Sequence, residues 1–255
     1  MKQNIIFFGG NDSNTRVVFN ELSKHFTFSL AIIETERNKS LLLKKRMKKL
    51  GILKVLGQLI FKASIVPWLR IISKKRILEI FEHYNFNDAN ISSDKIYEVD
   101  TINNPLVLNR VRDLQPALIV VNGTRIISKE IIDGVGCPLI NMHVGITPKY
   151  RGVHGMYWAL AMSDKENAGV TIHRIDSGID TGSVLRQARV DYTRKDNFVT
   201  YPILQLGEGV KILKIVIDEF FNNRLLKQEN QLPSQLWSHP TVWQYFYFYF
   251  TIGVK

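Results

Sequence analysis

The sequence predicts an α/β fold in which a mostly parallel sheet is flanked by helices. Three observations carry that expectation. Strand-like and helix-like segments alternate from the start, with Ile5–Phe8, then about Thr15–His25, then Phe28–Ile33. The ladder Ala117–Val121 is continuous and apolar, as a strand covered on both faces must be. Beyond Pro202, the residues Ile203, Leu206, Val210, Leu213, Val216 and Phe220 recur every three or four positions, which predicts a long amphipathic helix.

The elements follow in order. The first strand runs into Gly9-Gly10-Asn11-Asp-Ser-Asn14, a glycine-bearing turn at a helix start. Backbone N–H groups there can hold an anion, or the turn can be an ordinary strand-to-helix connection, since Gly-Gly is no dinucleotide fingerprint. The alternation then breaks from Arg37 to about Asn85. Apolar residues from Leu41 to Val66 interleave with lysines at helical spacing, and Pro67 is expected to divide the segment into two helices. Lys95–Val99 reads as a short strand, Pro105–Leu114 as a helix, and Ile126–Ile132 as a short helix. Pro138-Leu-Ile140 is the apolar lead of a strand that ends at Asn141 and His143. Gly152–Met162 reads as a helix, Gly169–His173 and Val184–Val190 as strands. After Asn223 come Trp237, Trp243 and the run Tyr245–Phe250, an aromatic tail expected to dock on the domain, to form an oligomer contact or to touch a membrane.

Charge is concentrated in one place. The chain of 255 residues carries a net +11, with 34 basic and 23 acidic residues. Thirteen of the basic residues lie between Arg37 and Arg76 with no carboxylate among them, so the other 21 nearly balance the acids. Three readings of this segment stay open: a helical hairpin whose lysines face water, a surface for an anionic substrate or RNA backbone, and a contact with an anionic membrane. The single Cys137 excludes an internal disulfide and fits a reducing, cytoplasmic compartment. The opening Ile5–Phe8 run is too short for a secretory signal, and no uninterrupted apolar run approaches a membrane span. No HExxH and no cysteine cluster is present, so no metal is expected.

The chemistry-bearing stretch is Asn141-Met-His143-Val-Gly-Ile-Thr-Pro148-Lys-Tyr-Arg151-Gly152. Side chains alternate along a strand, so Asn141 and His143 emerge from one face where strand becomes loop. A second stretch, Gly169-Val-Thr-Ile-His173-Arg-Ile-Asp176-Ser-Gly-Ile-Asp180-Thr-Gly182, is a strand ending in an acidic, glycine-bearing loop. An amide donor, an imidazole and a carboxylate suit acyl transfer to an amine. His154 is a rival imidazole, read as a pocket-lining or locally bonded residue. His173 is read as a packed residue within a strand, or one supporting the site from behind.

These two stretches resemble the formyltransferases that use 10-formyltetrahydrofolate, a group that includes methionyl-tRNA, glycinamide ribonucleotide and sugar N-formyltransferases. The resemblance rests on Asn141, His143 and Pro148, on Asp180-Thr-Gly182, and on the ladder Leu118–Asn122 with its loop to Ser128. It covers roughly residues 1–36 and 95–205. It implies a Rossmann-like sheet and a catalytic domain over 1–205, with a basic helical insertion at 37–85. Residues 206–255 would then be a C-terminal helix and aromatic tail.

By the same resemblance Asn141, His143 and Asp180 are catalytic. Asn122, Gly123, Thr124, Ile126, Ile127, Ile175, Asp176 and Ser177 would hold 10-formyltetrahydrofolate, largely through the backbone. Gly9, Gly10, Asn11, Lys149, Arg151 and His154 would meet the acceptor. The expected reaction moves a formyl group to a primary amine, with an anionic amino sugar on a nucleotide or related carrier as the expected acceptor. The alternatives are a methionyl-tRNA formyltransferase-like enzyme, and an inactive membrane-associated binding protein on the same scaffold. Expected partners are a small amine, a peripheral membrane through 37–76 or the aromatic tail, or a second copy of the chain. Transfer RNA is a partner only under the alternative.

Overall fold

The computed structural model describes residues 4–35, 39–229 and 231–255, and omits the side chains of 39–42 and 45. Arg37, Lys39 and Lys45 of the basic run therefore lie outside the description. Among the described residues, seven strands form one sheet in the order β3-β2-β1-β4-β5-β7-β8. These are β1 (Ile5–Gly10), β2 (Phe28–Glu34), β3 (Ile96–Val99), β4 (Leu118–Asn122), β5 (Leu139–His143), β7 (Gly169–Arg174) and β8 (Val184–Arg189). The first five pair in parallel, and β7 and β8 run antiparallel. The mostly parallel expectation holds, with the antiparallel edge on the site's side. A separate pair joins β6 (Arg151–Gly152) to β9 (Leu236–Trp237).

The period of two along each strand sorts the core into two layers. Ile5, Phe7, Val120, Ile140, Met142, Val170 and Ile172 face one side. There they meet α1 (Ser13–Ser23), α8 (Gly155–Ala161) and α9 (Tyr201–Phe221). Ile6, Phe8, Ile119, Val121 and Leu139 face the other, against α6 (Pro105–Leu114) and α7 (Lys129–Gly134). Helix α1 starts where the Asp12 carboxylate accepts from Thr15 N–H at 2.8 Å, and α6 starts at Asn104 with Pro105 in its first turn. The stripe predicted beyond Pro202 is the buried face of α9. Leu204, Leu206, Val210, Leu213, Val216 and Ile217 all belong to the main core. A division after residue 205 cuts through this helix, so α9 is part of the catalytic unit and not the start of an appendage.

The basic segment is helical: α2 (Lys39–Leu50), α3 (Ile52–Ile60), α4 (Val66–Ile72) and α5 (Lys74–Tyr84). Pro67 does not divide it. Phe61–Ile65 forms one wide turn in which Val66 N–H reaches the Phe61 carbonyl, and Pro67 then sits in the first turn of α4. The wide turn absorbs the missing N–H that would otherwise kink the helix. The break comes later, at Ser73. Ile52–Ile72 is thus a continuous 21-residue helix, long and apolar enough to cross a membrane by length and composition. Lys54, Lys62 and Arg70 interrupt its apolar run, which is why it did not read as a span in the sequence.

Its inner stripe docks on the domain. Val55, Phe61 and Leu69 are buried, and Phe61 packs on Phe198 and Tyr245 with ring centroids 4.8 and 5.2 Å away. Tyr245 belongs to α10 (Val242–Thr251), the helix formed by the aromatic tail and opened by a Thr241/Gln244 capping box. A Cβ on Gly57 would stand 2.2 Å from the Trp243 indole, so glycine is what allows α3 and α10 this approach. Helix α5 docks similarly, with the Tyr84 ring over Gly207 and its hydroxyl donating to Glu208 at 2.9 Å.

Phe61 therefore holds three parts together, and Phe61→Ala should cost about 3–5 kcal/mol of stability in urea unfolding. An unchanged midpoint would mean that the helical segment is an independent appendage.

Candidate active site

The site forms along the edge made by the ends of β4 and β5 and by β7 beside them. Pairing of β5 with β7 sets Asn141 opposite His173 and His143 opposite Thr171. Asn141 and His143 share the face away from Ile140 and Met142, as strand parity predicts. The chain after β7 turns through 175–183 and brings Asp180 back over this edge. Asp180 adopts φ 51°, a left-handed conformation that aspartate tolerates better than most residues. Gly182 closes the loop against the strand, since a Cβ there would lie 1.7 Å from the Arg174 carbonyl.

The polar groups are coupled. Asp180 Oδ2 accepts from Gly152 N–H at 2.9 Å and stands 3.4 Å from His143 Nδ1. Its Oδ1 is 3.6 Å from His173 Nε2. His143 Nε2 lies 2.8 Å from the Tyr150 carbonyl, which only accepts, so Nε2 carries the hydrogen. In the neutral ring Nδ1 is then a bare lone pair directed at the Asp180 side. His173 is held the other way round: Nδ1 donates to the Arg174 carbonyl at 2.7 Å, leaving Nε2 to accept from Asn141 Nδ2 at 3.2 Å. That bond orients the carboxamide and leaves its second N–H for another acceptor.

Burial pushes the His143 pKa below the ordinary imidazole value, with Asp180 opposing the shift. Burial also works against ionisation of Asp180, but His143, His173 and the Gly152 N–H outweigh it and hold its pKa at about 2. The resting pair is a neutral imidazole beside a carboxylate. A proton reaching Nδ1 would convert it to an imidazolium facing that carboxylate. Cys137 plays no part, for burial raises its thiol to about 11.

These groups open into a cavity of about 540 Å³. Its lining combines apolar Val121, Ile126, Ile127, Ile175, Ile179 and Leu206 with polar residues, among them Asn141, His143, His173 and Asp180. The loop at its rim is anchored by Glu34, whose buried carboxylate accepts from Ile102 N–H and Arg125 N–H, both at 2.8 Å, and from Arg125 Nε at 3.2 Å. Of the residues expected to hold the donor, Asn122, Gly123, Thr124, Ile126, Ile127, Ile175 and Asp176 line the cavity, while Ser177 does not. Asp176 turns partly into its own loop, accepting from Gly178 N–H and the Thr181 hydroxyl.

The expected acceptor residues are not brought together. Gly9 is packed inside β1, where a Cβ would strike Thr15 at 2.5 Å, and Gly10 ends the same strand. Asn11 is exposed. The turn is no free anion site, because Asp12 already supplies the negative cap of α1. Lys149 pairs with Asp164 at 2.6 Å, and Arg151 donates to the Ile179 carbonyl at 3.0 Å. His154 is half-buried against Phe198, and its Nε2 lies 2.9 Å from His239 Nδ1. Lining residues not assigned to the site from the sequence include Asp12, Asn14, Gly152, Val153 and Pro202. His173, read as packed or as supporting the site from behind, lines the cavity and holds Asn141. Among the described residues no group of three or more His, Cys, Asp or Glu is arranged to hold a metal ion.

A doubly covered, mostly parallel sheet with an amide, two imidazoles and a carboxylate at its strand ends defines a class of α/β group-transfer folds. Within that class the chain belongs to the Formyl transferase family, whose profile matches residues 60–203, more than half of it. A methionyl-tRNA formyltransferase from Campylobacter curvus (strain 525.92) is 32% identical over 162 residues, covering 63% of this chain and 52% of that protein. The chain thus spans about half the length of the curated relatives it matches. The fold is shared with a sugar N-formyltransferase from Shewanella sp FDAARGOS_354, at TM-score 0.57 and 13% identity over 92% of this chain and 76% of the other. It is shared too with a phosphoribosylglycinamide formyltransferase from Anaplasma phagocytophilum, at TM-score 0.58 and 14% identity over 93% and 100%.

The buried imidazoles make stability depend on pH. His143 is held below its ordinary pKa, and burial takes His154 to about 3 and His239 to about 4. Below about pH 6.5 the unfolded chain gains protons that the folded chain refuses, so stability is full above that value and falls as pH drops. The slope is up to about 1.4 kcal/mol per pH unit for each ring. Urea midpoints followed from about pH 7 to about pH 5 should fall, and His239→Gln should flatten the curve; a pH-independent midpoint would contradict these burial assignments.

Proposed function

We propose that this protein transfers a formyl group from 10-formyltetrahydrofolate to a primary amine, with a nucleotide-linked amino sugar as the acceptor. The observation that carries the reading is the convergence of Asn141, His143 and Asp180, with His173, on one end of one cavity. The donor's fit rests on the cavity itself. Its volume suits a fused heterocycle, and its lining combines aliphatic side chains with Asn141, His143 and Asp180, beside which a reacting group would stand. Val121, Ile126, Ile127 and Ile175 would hold the ring system. When bound, the donor supplies a formyl group activated by attachment to a weakly basic nitrogen.

The chain's own residues account for the rest. The Asn141 N–H not used by His173 donates to the oxygen on which negative charge develops. His143 Nδ1, bare and buried, takes the proton that the attacking amine must shed. Asp180 stabilises the resulting imidazolium, and the Tyr150 carbonyl keeps the ring in the required tautomer. The same Nδ1 then returns that proton to the leaving nitrogen. Near the site, Asp12 and Asn14 offer partners for sugar hydroxyls, while the Asp12 charge disfavours a phosphate at that spot. The amino-sugar reading is favoured by that lining and by the fold shared with a sugar N-formyltransferase. A methionyl-tRNA acceptor is the second reading, favoured by the sequence relatives and the basic helices. The lone thiol supports a cytoplasmic location.

Formyl transfer measured on a panel of nucleotide-linked amino sugars and on methionyl-tRNA decides between the two. Turnover of a sugar is the expected result; turnover of methionyl-tRNA alone replaces it with the second reading, and turnover of neither removes both. Asn141→Ala should lower kcat roughly 100-fold with folding intact. The acid limb of kcat/KM should lie below the ordinary imidazole value, because His143 must be neutral to act and burial keeps it so. A limb at or above pH 7 would take the proton-accepting role away from His143.

A further inference from the structure

Helices α3 and α4 carry two apolar stripes, and only one is used by the fold. Opposite Val55, Phe61 and Leu69, the side chains of Leu53, Trp68 and Ile71 are 76%, 53% and 75% exposed. Helix α10 lies alongside through the Gly57–Trp243 and Phe61–Tyr245 contacts, and it too leaves large side chains uncovered, with Trp243 at 50%, Tyr247 at 62% and Phe250 at 77%. So large an uncovered apolar surface marks a site of interaction. The chemistry around it is one-signed. Lys44, Lys48, Lys49, Lys54, Lys62 and Arg70 are exposed on the same helical segment. No carboxylate occurs between Arg37 and Arg76, nor anywhere from residue 231 to 255. Between α4 and α10 a second cavity of about 480 Å³ is lined by Trp68 and Tyr249 together with Lys75, Arg194 and Lys195, with Glu79 also on its wall.

We infer that this face docks on an anionic lipid bilayer, with α3–α4 and α10 lying in the headgroup zone. Exposed tryptophan and tyrosine beside aliphatic residues suit the boundary between headgroups and acyl chains, and a surrounding field of lysines suits anionic lipid. The helix lies on the bilayer and does not cross it. Crossing would strip Phe61 from Phe198 and Tyr245, and would break the bond from buried Gln58 Nε2 to the His239 carbonyl at 2.6 Å. A second copy of the chain is a poor occupant, because a two-fold contact would bring two carboxylate-free cationic surfaces together. The inference does not depend on the formyl-transfer reading.

The test is co-sedimentation of the purified full chain with vesicles of phosphatidylcholine alone and with vesicles that also contain phosphatidylglycerol. Binding should require phosphatidylglycerol and weaken with added salt. Each basic residue near an anionic surface is worth roughly fivefold in partitioning, so Lys44→Glu/Lys48→Glu/Lys49→Glu should weaken binding on the order of a hundredfold. Leu53→Glu/Ile71→Glu, at positions exposed in the folded chain, should weaken binding at least about tenfold with an unchanged circular-dichroism melt. Bromine-labelled acyl chains should quench Trp68 and Trp243 fluorescence in the bound wild type. Equal binding to both vesicles, or to neither, overturns the inference. So does a stable dimer in sedimentation velocity that Leu53→Glu/Ile71→Glu dissociates, since the face would then belong to a second copy.

Discussion

The antiparallel pairing of β5 with β7 is the constraint on which the site depends. The pairing sets His173 directly opposite Asn141 on one face, and sets Thr171 opposite His143. Running backwards past the end of β5, β7 leaves the pair beside Leu139 and Ile140, so the loop of residues 175–183 must fold back toward Asn141 and His143. His173 then stands next to Asn141, and the chain needs only seven more residues to return a carboxylate over both imidazoles. The register is also strict. Shifting β7 by one residue would turn His173 into the apolar layer and bring Ile172 to the polar edge. The left-handed turn at Asp180 and the close approach of Gly182 to Arg174 are the local conditions that let this short return close.

A second chain of contacts links the site to the helical insertion. Asp180 takes its backbone donor from Gly152, and Gly152 pairs with Trp237 in the two-stranded β6–β9 ribbon. The next residues, Ser238 and His239, are held from both sides. Trp158 Nε1 donates to the Ser238 carbonyl at 2.9 Å, and Gln58 of α3 donates to the His239 carbonyl. Gln58 in turn accepts from Arg46 at 2.6 Å. The basic helices are thus not hung on the domain by apolar contact alone. They brace the segment that positions the donor to Asp180, so a displacement of α3 would be felt in the geometry of the carboxylate.

Much of this was legible in the sequence, for reasons that differ by element. The parallel half of the sheet follows from local alternation, and α9 from its periodic stripe, because both are signals of single segments. Asn141 and His143 were legible because strand parity needs no partner. For His173 the sequence left two readings, packed or supporting, and its partner Asn141 depends on the direction and register of β7 relative to β5, which no single strand records. Lys149, Arg151 and His154 were assigned to the acceptor by the family resemblance. The loop between them turns back so that Tyr150 can offer its carbonyl to His143, and each of the three is engaged elsewhere: Lys149 by Asp164, Arg151 by the Ile179 carbonyl and His154 by His239. At the first helix the glycines drew attention, yet the informative residue was Asp12, whose carboxylate both caps α1 and sets the sign of the nearby field. Pro67 misled because its cost was counted for an α-helix, and the helix widens just before it.

The helical insertion shows how one segment can satisfy opposing demands. An arm needed only for bracing would carry one apolar stripe and a polar back, and the back of α3 and α4 is instead apolar too. Left alone, such a surface would drive self-association. Here every charge between Arg37 and Arg76 has the same sign, so two copies repel where their apolar faces would meet. The same charges that keep copies apart draw the face toward any surface of opposite sign. Removing the carboxylates from both α3–α4 and α10, segments far apart in sequence but adjacent in the fold, makes the field continuous across the junction. A cationic field of that extent and an uncovered aromatic face are costly features separately, and an anionic bilayer is the surface on which they become favourable together.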